Sequence, residues 1–290
     1  MNLFLQLTIS GLTNGAVYAL VALGFVLIYK SSDVINFSQG QLLLVGAYVS
    51  YFFIAQIGLP WPIGIALALV VGVLLGIVIE RLVLRPLIGE PIISVIMVTI
   101  GLSSLLNAFV TGIWSTRPRA FPRFIPSNDV NLLGTMTSAD RLWAIGLAVV
   151  MLAAFTIFFR RSPDGIAMRA VADDQQAALS MGISIKRIFA VAWSISAVTA
   201  TLAGILLANI IGVSGDIGRI GLRVFPVVIL GGLDSIPGAI VGGLIIGLLE
   251  AWTGGYIGSG LGQVLPFVVL VIILMVRPYG LFGQEIIERV

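Results

Sequence analysis

The sequence predicts an all-α integral membrane protein, a polytopic bundle of eight long transmembrane helices plus one short or broken helical element. Three observations carry that prediction. Hydrophobic residues fill 59% of the 290 positions and charged residues only 10%, whereas a soluble domain carries about a quarter charged residues. The apolar positions gather into runs close to the ~20 residues that a helix needs to cross a bilayer. Many of the 34 glycines fall inside those runs, with Gly11/Gly15, Gly72/Gly76, Gly238/Gly242 and Gly243/Gly247 each four apart, a spacing that lets helix backbones pack closely in lipid.

Taken in order, the opening MNLFLQLTISGLTNGAVYALVALGFVLIY has no basic stretch before it and is too long for a signal peptide, so it is expected to stay as a first span, residues 5–29. Further long spans are expected at 38–57, 60–80, 91–113, 142–160, 187–213, 239–257 and 263–276. Residues 222–232 are apolar but too few to cross upright, and read as a tilted span or a half-helix. Between the spans lie a proline-broken loop at 114–141 and a polar loop at 161–187. No linker or low-complexity tract interrupts the chain, which reads as one transmembrane domain, 1–290.

Orientation follows from Lys and Arg near the span ends. With the N-terminus outside and the short element crossing, Lys30, Arg81, Arg85, Arg160, Arg161, Arg169, Lys186, Arg187, Arg277 and Arg289 face the cytoplasm. Arg117, Arg119, Arg123, Arg141, Arg219 and Arg223 then face outward. Trp61, Trp114, Trp143 and Trp252 fall at outer ends, as an interfacial belt should. The outer loop, with four arginines, would cover a pore, meet an extracellular partner, or carry plain solvated charge.

The chain has no cysteine and no histidine, which excludes disulfides, zinc sites, thiol nucleophiles and histidine acid–base chemistry. Its only lysines, Lys30 and Lys186, follow no glycine, so no phosphate-binding loop is present and any nucleotide must bind another chain. Glu250 and Asp234 are the only acids expected away from a terminus or polar loop, too few for a proton relay. Glu250 is expected either to pair with an arginine such as Arg223 or to reach the outer interface. No catalytic constellation appears, so an enzyme is the weakest reading, and an ATP-independent channel remains an alternative to a driven transporter.

Two stretches break the helical pattern, YKSSDVINFSQGQ (29–41) and LGGLDSIPGA (230–239). Irregular backbone at membrane depth survives only where it lines a cavity or is buried in protein, and a helix restarting there aims unpaired N–H groups at its surroundings. Candidate residues along a substrate path are therefore Asn36, Ser38, Gln39 and Gly40 in the first break, and Gly231, Gly232, Asp234, Ser235 and Gly238 in the second. The two are also candidate halves of an inverted repeat. Ordinary cytoplasmic turns are the alternative at both.

The polar segment RAVADDQQAALSMGISIK, 169–186, is rich in helix formers and locally acidic, with Gly182 placed to stop a helix. A helix lying on the lipid surface would instead be basic and carry bulky anchors. Its Gln176-Ala177-Ala178-x-x-x-Gly182 resembles the EAA–x3–G loop of ABC importer permeases, in which a short helix docks on the ATPase subunit. With GLTNGAVYALVALGFVLIYKSSDVINFSQG at the start and LGGLDSIPGAIVGG late, the chain resembles, over nearly its whole length, the permease of branched-chain amino-acid ABC importers. Where family members commonly carry His in the INF element, this chain has Gln39.

The resemblance implies a multi-pass subunit of the bacterial inner membrane that translocates branched-chain or other neutral amino acids. Urea, short amides or aromatic acids are the alternative cargoes within such systems. It implies a second related permease (or a second copy), two ATPase subunits and an extracytoplasmic substrate-binding protein, with ATP and Mg held by the ATPases and no cofactor in this chain. No nucleic-acid partner is implied. Arg169, Asp173, Asp174, Ala177, Ala178 and Gly182 become the expected ATPase-coupling residues.

Overall fold

The computed structural model describes residues 2–115, 117–125, 128–132 and 135–283. Arg289, expected on the cytoplasmic side, lies outside them. Among the described residues the order is α1 (Asn2–Ser32), α2 (Gln39–Tyr51), α3 (Trp61–Ile79), α4 (Ile92–Trp114), a hairpin of β1 (Asp129–Leu132) and β2 (Thr135–Ser138), α5 (Ala139–Arg161), α6 (Pro163–Asp173), α7 (Gln175–Ser180), α8 (Ile185–Ile211), α9 (Asp216–Gly231), α10 (Ile236–Tyr256) and α11 (Ser259–Val276). Polar residues punctuate the helices as capping chemistry requires. Ser162, Ser184 and Ser235 each accept a backbone N–H at the start of α6, α8 and α10, and a proline sits in the first turn of α6 and α10.

Among the described residues seven helices are long and apolar enough to cross a membrane, so the protein is a multi-pass membrane protein. The eighth expected long span, 38–57, is helical but shorter: 13 α-helical residues closed by a five-residue π-helical turn, Phe52–Gln56. Gln39 and Gln41 at its start lower its apolarity, and most of its side chains are buried in protein. The short run 222–232 belongs to α9, whose 16 residues span ~24 Å at 1.5 Å per residue, less than the ~30 Å hydrocarbon core.

α1 and α8 form the centre of the bundle. Their most apolar windows are 89% and 72% buried, against 11% for α11. Apolarity does not single them out: α3, α4, α5 and α11 have higher mean hydropathy than α1, at 2.8, 2.1, 2.5 and 2.4 against 1.9, yet lie largely open.

The elements repeat as long, short, long, long: α1–α4 and again α8–α11. Packing repeats with them, since α1 lies on α10 as α8 lies on α3, and α2 packs on α9 across the middle. The two sets are inverted. Gly24 of α1 lies against Ser196 and Thr199 of α8, while Val34, just beyond α1, shares a cavity with Phe189 and Trp193 near the start of α8, so the two helices run antiparallel. An inverted repeat is therefore present, but its halves are not the two breaks expected from sequence. The break at 33–38 joins a long helix to a short one, and its counterpart is 212–215, between α8 and α9. The break at 232–235 corresponds instead to the turn between α2 and α3.

Glycines set the closest approaches. A Cβ on Gly243 would stand 2.7 Å from the carbonyl oxygen of Gly15, and one on Gly247 would stand 2.5 Å from that of Gly11. The α1–α10 seam is thus backbone on backbone, as the four-residue spacing predicts. Gly243→Ala is expected to destabilise the protein by about 1–3 kcal/mol, read as a lower midpoint of thermal unfolding in nanodiscs. Gly146→Ala, with nothing within 4 Å of the added carbon, should leave the midpoint unchanged.

Lys30, Arg160 and Arg169 line one cavity, Arg187 pairs with Asp164 at 2.9 Å, and Pro278 and Tyr279 share a second cavity with Tyr29 and Asp33. Most of the residues assigned to the cytoplasm thus gather at one end. At the other end Trp61 stacks on Phe124, Trp114 Nε1 donates to Gln56, and Trp252 Nε1 donates to Thr8. There the outer loop folds inward rather than standing free: Phe121 and Ile125 are buried, and Asn209 accepts from the N–H groups of Phe124 and Ile125. Arg119 exchanges backbone hydrogen bonds with Val213, while Arg117 and Arg123 are exposed. Arg219 and Arg223, assigned outward from sequence, sit on α9, Arg219 exposed and Arg223 half-buried against Glu250.

Candidate translocation path and coupling surface

The first break is a hydrogen-bonded knot. Asn36 Oδ1 accepts from the N–H and hydroxyl of Ser38 at 3.0 and 2.6 Å, and Asn36 Nδ2 donates to Gln39 Oε1 at 3.2 Å. Ser196 of α8 donates to the same Gln39 oxygen at 2.8 Å, and Gln39 Nε2 donates to the Ser196 carbonyl at 3.3 Å. Asn36, Ser38 and Gln39 are fully buried. A buried polar group must find partners, and here it finds them inside the chain, so the knot starts α2 at depth and locks it to α8. Gly40 follows, and α9 crosses it so closely that a Cβ on Gly40 would meet the Gly218 carbonyl and the Gly221 backbone. Gly40 borders a cavity that lies between α1, α2, α4 and α9.

The second break sits near the cytoplasmic end. Gly232 ends α9 at φ +105°, a left-handed conformation that favours glycine. Ser235 accepts from Gly238 N at 3.1 Å to start α10, and Gly231 and Gly238 touch backbone to backbone. The chain after α11 returns to this turn, where the N–H groups of Leu281 and Phe282 donate to the carbonyls of Leu230 and Gly231. That satisfies acceptors which a helix end otherwise leaves open. Lys30 Nζ donates to the Asp234 carbonyl at 3.2 Å, and Lys30, Asp234, Ser235, Arg160 and Arg169 line a cavity of about 210 Å³. The two sets of path candidates are therefore not brought together. One lies inside the bundle, and the other faces the cytoplasmic end beside α6.

Charge inside the bundle lies elsewhere. Arg223 Nη1 donates to Glu250 Oε1 at 3.3 Å, and Tyr18 donates its hydroxyl proton to Glu250 Oε2 at 2.7 Å. Of the two expectations for Glu250, pairing with Arg223 is the one observed. A second pair, Glu80 with Arg85, is bidentate at 3.0 and 2.7 Å, with the Glu80 side chain fully buried. Sequence reading missed it because Glu80 ends an apolar run. The signal was its spacing of five from Arg85, bridged by the π-helical turn Glu80–Leu84.

The polar segment 169–186 is two short helices rather than one. Asp174 breaks the first and caps the second, accepting from Gln176 N and Ala177 N at 2.8 and 2.9 Å. Gly182 closes α7 at φ +85°, with Gly182 N and Ile183 N returning to the carbonyls of Leu179 and Ala178. Arg169 points back into the protein, donating to the Phe159 carbonyl and lying over the Phe159 ring. Ala178 is buried, and Asp173 and Ala177 are exposed. What projects furthest was not among the candidates: Leu179 is 55% exposed and Met181 83%. Both stand on the exposed turn that ends α7.

The sequence model of the family described as "Branched-chain amino acid transport system / permease component" matches residues 7–274. The chain is 34% identical over 302 residues to the Escherichia coli (strain K12) "High-affinity branched-chain amino acid transport system permease protein LivH", covering 99% of this chain and 98% of that one. It is 32% identical over 301 residues to the corresponding permease protein BraD of Pseudomonas aeruginosa, with the same coverage. It is 28% identical over 283 residues to the "Probable branched-chain amino acid transport permease protein LivH" of Methanocaldococcus jannaschii, covering 92% and 88%. No solved structure matches the chain. With most of its length matched by the family model and by relatives of nearly equal length, the chain belongs to the permease-component family of the branched-chain amino acid transport system.

Proposed function

We propose that this chain is the transmembrane subunit of an ATP-driven importer that moves branched-chain or other neutral amino acids across the bacterial inner membrane. It works with a second related permease or a second copy of itself, two ATPase subunits that hold ATP and Mg, and an extracytoplasmic binding protein that delivers cargo. The observation that carries the reading is α7 with its cap, which presents Leu179 and Met181 at the cytoplasmic end. The adjoining α6 borders the cavity that contains Lys30 and Asp234. Motion imposed on α6 and α7 from below reaches α1 and α10 through that cavity wall, and reaches α8 directly because Arg187 pairs with Asp164 of α6. The printed names of the relatives support amino acids as cargo.

The test is ATP hydrolysis by the complex purified in nanodiscs with its partner subunits, with binding protein added empty, leucine-loaded or urea-loaded. Stimulation by the leucine-loaded form is expected. Stimulation by urea alone moves the cargo to the short amides. Failure of any ATPase to copurify favours the ATP-independent facilitator.

A further inference from the structure

The cavity beneath the α2–α9 crossing has two unlike halves. Phe25, Phe37 and Phe225 form one wall, with Phe37 stacked on Phe225 at 5.5 Å between centroids and Phe25 edge-on to it at 6.4 Å. Gln41, Ser103 and Arg219 stand on the other side. Gln41 Oε1 is cut off from solvent with no hydrogen-bond partner, in a helix that leaves no polar group of its first break unsatisfied. A buried acceptor without a donor is costly, and such exceptions call for an explanation. Its neighbour is Gly218, where a Cβ would stand 2.9 Å from that oxygen, so the position is kept bare beside the carboxamide.

Depth strengthens the case. Ser103 is the middle residue of the 23-residue α4, which places this cavity midway across the bundle. Arg219, 79% exposed and paired only with Asp216 one turn away, stands at the same level. A guanidinium there cannot face hydrocarbon and must face protein or a wet path. The cavity holds about 110 Å³, somewhat less than the ~150 Å³ of an apolar cavity that takes up benzene, a size for a small aliphatic group.

We propose that this cavity is a mid-membrane subsite for a zwitterionic amino acid with a branched aliphatic side chain. The side chain lies on the Phe25–Phe37–Phe225 wall, the Gln41 carboxamide turns out of its sealed position to accept from the α-ammonium, and the α-carboxylate pairs with Arg219 at the mouth. The proposal rests on the transport reading above and places its cargo.

The experiment uses the reconstituted complex with its ATPase and binding-protein partners, turning over ATP in the presence of photo-leucine, the diazirine analogue of leucine. Labelled positions are mapped by peptide mass spectrometry after irradiation. Label is expected on Phe37, Ser103 or Phe225. Gln41→Leu should cut that label and leucine uptake at least tenfold although the variant still copurifies with its ATPase subunits, and Gln41→Glu, which keeps an acceptor, should retain both label and uptake. Phe225→Leu, a milder packing change, should raise uptake of phenylalanine relative to leucine about fivefold. Label confined to other helices, or a Gln41→Leu complex that labels and transports normally, overturns the subsite and leaves the transport reading standing. A wild-type complex that takes up no amino acid removes the transport reading itself.

Discussion

Replacing Leu179 and Met181 together by Asp is expected to abolish amino-acid uptake while leaving the protein folded in the membrane. Both side chains point away from the chain, at 55% and 83% exposure, so neither substitution opens a cavity, and surface changes of this kind usually cost within ±0.5 kcal/mol. The helix that carries them is set by other atoms: the Asp174 cap, the Gly182 closure and the buried Ala178. If α7 seats in a groove of an ATPase subunit, however, these two are its apolar anchors. Losing an interface hot spot costs about 2 kcal/mol or more, some 30-fold in affinity, and an introduced carboxylate adds the desolvation of a charge. Uptake in proteoliposomes should fall at least tenfold, and the ATPase subunits should no longer copurify. Normal uptake and normal copurification by the double variant would place the coupling contact elsewhere.

How much of this was legible in the sequence divides along physical lines. Helix number, span positions and the α1–α10 glycine seam follow from local patterns, apolar run length and small residues four apart, and both are properties of one segment. The polar segment 169–186 was legible as a composition, but its division at Asp174 was not, because Asp serves equally as a polar surface residue and as a cap. Which spans are buried was not legible either, since α1 and α11 are similarly apolar and only packing tells protein from lipid. The break at 33–38 was found, but the partners of its side chains were not. Asn36, Ser38 and Gln39 supply donors and acceptors to one another and to Ser196, 157 positions beyond Gln39. A long-range partner of that kind leaves no trace in a single sequence. Gln41, two residues further on, has the same composition but lacks the partner, and only coordinates separate the two.

The pairing of Arg223 with Glu250 is the other feature whose removal should have a large effect. Arg223 is the eighth of the 16 residues of α9, and Tyr18 the seventeenth of the 31 in α1. The three groups therefore meet in the interior of the bundle, where water cannot take over for a lost partner. Glu250→Gln keeps the shape and still accepts from Tyr18, but it leaves the Arg223 guanidinium without a counter-charge. Breaking a buried pair by removing one member typically costs about 3–5 kcal/mol. Because the Arg223 side chain is 32% exposed and that of Glu250 11%, solvent screening reduces the figure, to about 2–3 kcal/mol for the single variant. Removing both charges, Arg223→Gln with Glu250→Gln, removes the unpaired ion as well, so the double variant should regain most of the loss. Thermal unfolding of the four proteins in nanodiscs gives the coupling energy directly as the departure from additivity. Independent effects that simply add would mean that the two groups touch without stabilising each other. The cycle would then assign the persistence of charge at this depth to Arg223 facing a wet path rather than to its ion pair.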